Sequence, residues 1–147
     1  MNYKNKMKLR FLAVSENESF ARVCVASFCS VLNPTLDELT DIKTAVSEAV
    51  TNSVVHAYPG KKGEIEIVAE ICDNEIYITV TDYGIGIPDI EKAREPFFTT
   101  NPTKERSGMG FTVMEGFMDK VIVESDIKGT SVTLIKRLGE IKVAIGG

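Results

Sequence analysis

The apolar and polar positions along the chain fall into stretches of two distinct periods. Met7 to Val14 alternates weakly and predicts a first strand. Ser15, with Glu18 three residues on, reads as a capping box opening a helix. Phe20, Val23, Cys24, Ala26, Phe28 and Val31 make that helix largely apolar to about Leu32, where Asn33-Pro34 breaks it. Thr35 with Glu38 repeats the capping box and starts a second, longer helix. Its core-facing arc is Leu36, Leu39, Ile42, Val46, Ala49, Val50 and Val54, and Tyr58-Pro59-Gly60 stops it.

Beyond Gly63 the period becomes two. Ile65, Ile67, Ala69 and Ile71 alternate with polar neighbours, Asp73-Asn74 turns, and Ile76, Ile78 and Val80 lead back, which predicts a hairpin with one buried face. From Ile87 to Arg106 no period is sustained, and Pro88, Pro96 and Pro102 punctuate a long loop with one helical turn expected near Pro88–Ala93. Gly108 to Phe117 predicts a short helix. Lys120–Ser125 and Thr130–Lys136 predict a second hairpin turning at Asp126–Gly129, and the tail from Gly139 is expected to fray. Antiparallel strand pairs with helices grouped between them give an α+β fold: a two-layer sandwich, its mostly antiparallel sheet covered on one face by helices.

Composition narrows the class. A chain of 147 residues, 44% hydrophobic and 26% charged, fits one globular domain. A net charge of −4 gives no reason to expect nucleic acid or an anionic membrane as partner. No apolar run approaches the ~20 residues needed to span a bilayer, and Met1 to Arg10 has no signal-peptide core. Cys24, Cys29 and Cys72 lack metal-ligand spacing and read as buried thiols of a reducing cytoplasm. With His56 the one histidine, metal sites or relays built from several histidines are excluded.

Three stretches carry candidate chemistry. At roughly 100° per residue, Glu48, Asn52 and His56 share a polar arc beside the apolar face of the second helix, a pattern also found on solvated helix faces. Asp82-Tyr83-Gly84-Ile85-Gly86 follows a strand. Alternate glycines there permit close backbone approach, and the aspartate can accept a hydrogen bond from an amine, although a plain glycine turn has the same composition. Arg106-Ser107-Gly108-Met109-Gly110 opens a helix, where free amides suit phosphates. Neither glycine cluster is a P-loop or a βαβ dinucleotide fingerprint.

The order of these parts resembles the GHKL nucleotide-binding fold shared by histidine kinases, Hsp90, type II topoisomerases and MutL. The resemblance covers about residues 7–137 of a single domain, with a lid at about 87–107. Within it, Ser15–Arg22, Ser47–Tyr58 and Pro96-Phe97-Phe98-Thr99-Thr100 are similar to the sporulation anti-sigma serine kinases. No histidine-bearing helical hairpin precedes the domain, which argues against a sensor kinase.

The resemblance implies ATP and Mg²⁺ as cofactors. It implies that Asn52 coordinates Mg²⁺, that Glu48 is the general base toward a serine hydroxyl, and that Asp82 binds the adenine amine, with Gly84 and Gly86 shaping the pocket. Thr130 would assist at the adenine. The amides of Ser107, Gly108, Met109 and Gly110 would hold phosphates, while Arg106 neutralises charge on the γ-phosphate. His56 is expected to be structural. Arg22, read as lying on the exposed side of the first helix, would contact protein partners: a sporulation sigma factor and a small anti-anti-sigma protein carrying the substrate serine. The resemblance further implies a homodimer, with the strand at Met7–Val14 as joining element, and a lid at Pro88–Arg106 that senses ATP against ADP. Four other readings stay open: a general-stress switch kinase of the same fold, a phosphate-releasing ATPase, an ATP-gated binding module without turnover, and a structural α+β domain that binds no ligand.

Overall fold

The computed structural model describes residues 3–87 and 110–139. Five strands, β1 (Lys4–Leu12), β2 (Glu64–Cys72), β3 (Glu75–Asp82), β4 (Lys120–Asp126) and β5 (Gly129–Arg137), form one antiparallel sheet of order β1-β2-β3-β5-β4. Against one face pack α1 (Glu16–Cys29), α2 (Leu36–His56) and α3 (Gly110–Phe117). The α+β sandwich expected from the pattern is the fold observed.

Period-two patterning puts Ile65, Ile67, Ala69, Ile71, Ile76, Ile78, Val80, Val132 and Leu134 on the helix-covered face, each at 5% exposure or less. Burying one such side chain contributes about 1.5–3 kcal/mol. Both hairpins form, and the second enters the sheet through β5, so that β4 becomes the edge. The β3–β5 register sets Asp82 directly opposite Thr130.

The two capping boxes diverge. Thr35 holds an extended backbone, accepts from the Glu38 amide at 3.1 Å, and Glu38 returns a bond to the Thr35 amide at 2.9 Å. Ser15 is itself in the right-handed helical region and makes no side-chain cap. The Glu18 carboxylate is instead engaged across the helix pair, by Ser47 of α2. A tertiary partner has outcompeted the local one.

Helix α1 also buries a different stripe from the one its apolar residues suggested. Ala21, Val25, Ala26 and Cys29 face the core, whereas Phe20, Val23 and Val31 are more than half exposed. Small residues on the inner stripe let α1 lie close to α2. The helix ends in a 3₁₀ turn, Ser30–Leu32, capped by Asn33 at φ +51°, a left-handed geometry that asparagine tolerates. On α2, Leu36 is 83% exposed rather than core-facing. Of the three thiols, Cys29 alone is fully buried, and burial pushes it up to about 12. Among the described residues no helix is long and apolar enough to cross a membrane.

Candidate functional site

The last turns of α2 carry much of the site. Ile42, Ala45, Val46, Ala49, Val50 and Ser53 fill its buried stripe, while Glu48, Asn52 and His56 are half-buried at the rim. The polar arc thus lies at the edge of the core. Glu48 and Asn52, one turn apart, share a helix face.

Asp82 ends β3 and is 4% exposed. Its Oδ2 accepts from Ser53 Oγ at 2.8 Å, and its Oδ1 accepts from the amides of Gly84 at 3.1 Å and Thr130 at 3.2 Å. All three donors are neutral. A carboxylate offers about four acceptor positions, so one remains for a further donor. The site is an acceptor held in a fixed orientation by a helix, a loop and a neighbouring strand.

The loop after Asp82 wraps the end of α2. Ile85 N donates to Ala57 O at 3.0 Å, and a Cβ on Gly84 would stand 2.0 Å from that same oxygen. Gly86 has φ +80°, and a Cβ there would meet Asp126 O at 2.0 Å. Close approach is indeed what both glycines provide, but toward the chain's own backbone, between α2 and the β4–β5 turn. Ser125 Oγ secures the far side, accepting from Ile87 N at 2.6 Å and sharing a hydrogen bond of 2.8 Å with Thr130 Oγ1. Tyr58 ties the near side: its hydroxyl donates to Glu64 O at 2.6 Å and accepts from Tyr83 N at 2.8 Å. Burial raises its pKa.

Helix α3 starts against Asn52. A Cβ on Gly110 would lie 3.0 Å from both terminal atoms of the Asn52 amide, so a glycine keeps this approach open. Glu48, Asn52, Asp82, Gly84, Gly86, Gly110 and Thr130 are therefore gathered around one end of α2. Arg106, Ser107, Gly108 and Met109, with the segment expected to form the lid, lie outside the described residues.

Arg22 departs from its expected position. Rather than standing fully on the open side of α1, it is half-buried, its side chain 36% exposed, beside the Glu18 carboxylate that Ser47 of α2 engages. Nη1 is 3.5 Å from Glu18 Oε2, and Nη2 donates to Ser19 Oγ at 3.2 Å. The cause is helical geometry: at 100° per residue, position 22 falls near the buried Cys29 and Ala26, far from the exposed Phe20 and Val23.

Sequence reasoning passed over Ser53, although a signal existed. It continues the 46, 49, 50 spacing of buried positions, so a serine there implies a buried hydroxyl that needs a partner. Ser125 had no comparable signal.

This arrangement, an antiparallel sheet with a buried, dipole-held carboxylate beside a helix bearing Glu48 and Asn52, defines the class. The sequence model of the histidine kinase-like ATPase domain matches residues 13–136. The RsbU and RsbW domains of a Mycobacterium tuberculosis protein share the fold, with a TM-score of 0.67 at 20% identity over 91% of this chain and 32% of that one. So does the catalytic domain of the histidine kinase ThkA, at 0.59 and 20% identity over 92% and 99%. Sequence similarity is far stronger to two anti-sigma F factors. That of Geobacillus kaustophilus is 58% identical over 95% of this chain and 97% of its own. That of Clostridium acetobutylicum is 59% identical over 95% and 98%. The chain belongs to the histidine kinase-like ATPase family and, within it, to the anti-sigma F factors.

Proposed function

We propose that the protein holds a sigma factor of the sigma F type inactive when ATP is bound, and transfers the γ-phosphoryl group to a serine of an anti-anti-sigma protein. The observation that carries this reading is the identity of more than half the residues, over 95% of the chain, with anti-sigma F factors. The geometry supports the chemistry. The open acceptor position of Asp82 suits an exocyclic amine, which points to adenine. Asn52, with its side-chain amide at the rim of the pocket, would hold Mg²⁺ through its amide oxygen, and the ion would supply charge neutralisation at the phosphates.

Glu48, one turn from Asn52, takes the proton of the serine hydroxyl. The serine Oγ–phosphorus bond forms as the bond from the γ-phosphorus to its bridging oxygen breaks, leaving ADP. Arg106 and the amides of Ser107 to Gly110 stabilise the transferring group. Partner docking falls to Arg22. A homodimer belongs to the same proposal and is tested by sedimentation velocity. The outward side chains of β1 bear on how it joins: Lys8 and Arg10 are ion-paired with Glu66 and Glu64 of β2, but Lys4 and Lys6 would add like charge if two β1 edges paired, so salt should strengthen an edge-joined dimer.

The test is γ-labelled Mg-ATP with and without the anti-anti-sigma protein. Label should appear on a partner serine. Glu48→Gln should lower transfer by about 10²- to 10⁴-fold while leaving nucleotide affinity within about twofold. Transfer retained in that variant would remove Glu48 as base. Tight ATP binding without any transfer by the parent protein would leave an ATP-gated binding module.

A further inference from the structure

Glu18 bridges two helices. Its Oε2 accepts from Ser47 Oγ at 2.5 Å and faces Arg22 Nη1 at 3.5 Å. The first contact has the length of a strong, charge-assisted bond; the second is a partly solvated ion pair of the kind that alone fixes little. The Arg22 guanidinium is incompletely satisfied, because Nε is buried without a partner while Nη2 reaches Ser19. Glu18 is thus held by Ser47, and Arg22 is oriented but not locked by Glu18. Ser47 immediately precedes Glu48 on α2.

We propose that Ser47 and Glu18 are positioning residues for partner docking: Ser47 holds the Glu18 carboxylate against α2, and Glu18 orients the Arg22 guanidinium beside it. The proposal rests on the reading of Arg22 as a docking side chain. The unmet Nε makes the hold partial, so a bound protein can draw Arg22 away without breaking a full set of bonds. Because the anchor is the residue before Glu48, the docking arginine and the base are tied to the same turn of α2. Neither the glycine motifs nor the pocket around Asp82 contains this link.

The experiment is a double-mutant cycle on the ATP-loaded full chain, with purified sigma F as the probe and binding read by calorimetry. Ser47→Ala should weaken sigma F binding about fivefold, and Ser47→Thr, which keeps the hydroxyl, should restore it to within about twofold. In an Arg22→Ala background, Ser47→Ala should add almost nothing. ATP affinity should stay constant throughout, which a general loss of structure would not allow. Equal weakening by Ser47→Ala in both backgrounds overturns the proposal, as does a loss in Arg22→Ala with none in Ser47→Ala. If Arg22→Ala leaves binding unchanged, the docking assignment falls and the positioning role falls with it. Glu18→Ala provides a second route: it should abolish the effect of Ser47→Ala, and a persisting effect overturns the link.

Discussion

The surroundings of Asp82 and those of Arg22 are opposite solutions to placing a charged group. Asp82 is nearly sealed from solvent and bonded by three neutral donors from three separate elements. Arg22 is partly open, has one distant carboxylate and one hydroxyl, and keeps a buried N–H unmet. The first arrangement is preorganised, so a ligand need not order it and little entropy is lost on binding. The second leaves the side chain free to re-aim toward a protein surface. A small ligand of constant shape rewards rigidity, whereas a side chain proposed to meet a protein surface rewards slack.

Three substitutions sharpen this contrast. Asp82→Asn should produce the largest effect. The amide oxygen can still accept from Gly84 N and Thr130 N, and the nitrogen can donate to Ser53 Oγ once that hydroxyl rotates, so the internal network survives. Its second N–H, however, would confront an incoming amine. Nucleotide affinity should fall by about tenfold or more, equivalent to ~1.4 kcal/mol or more, with the Tm almost unchanged; calorimetry and thermal melts separate the two. A normal affinity would break the assignment of Asp82.

Ser53→Ala should come next, and on stability rather than on recognition. It leaves a buried carboxylate short of one donor, at a cost of about 1–3 kcal/mol. For a chain of this size each kcal/mol lowers the Tm by roughly 2–4 °C. No shift in the melt would mean that the hydroxyl contributes nothing to holding Asp82. The smallest effect should be that of Arg22→Ala on stability, within about 0.5 kcal/mol, because the removed ion pair is partly solvated and the removed Nε was unsatisfied. A large destabilisation would show that Arg22 is built into the fold like Asp82, and the contrast would fail.

Much of this was legible in the sequence because patterning and local chemistry agreed. Period two along β2 and β3 named the buried isoleucines, and Thr35 with Glu38 marked the start of α2. The same local motif failed at Ser15 and Glu18, since nothing in the first helix alone reveals that Ser47, 29 residues away, competes for the carboxylate. Apolar content misled on α1: Phe20, Val23 and Val31 are exposed, because close helix packing selects alanine and cysteine for the inner stripe. Strand order was equally hidden. Alternation along β4 and β5 fits either strand beside β3, and only tertiary pairing puts β5 there. At the site, Asp82 announced itself through its glycines, one of which, Gly84, also supplies a donor, while the other two donors, Ser53 and Thr130, are 29 and 48 residues away.

The pairing of β3 with β5 has a consequence for how the protein comes into being. Two of the donors to Asp82, Ser53 and Gly84, are synthesised within about thirty residues of it, but the third is the amide of Thr130, delivered by a strand 48 residues downstream. As the chain emerges from the ribosome, β1, α1, α2, β2 and β3 are available to assemble first. The acceptor set at Asp82 is completed only when β5 emerges and docks. A nascent chain therefore acquires its finished recognition site late, and ligand capture reports that the two ends of the chain have met.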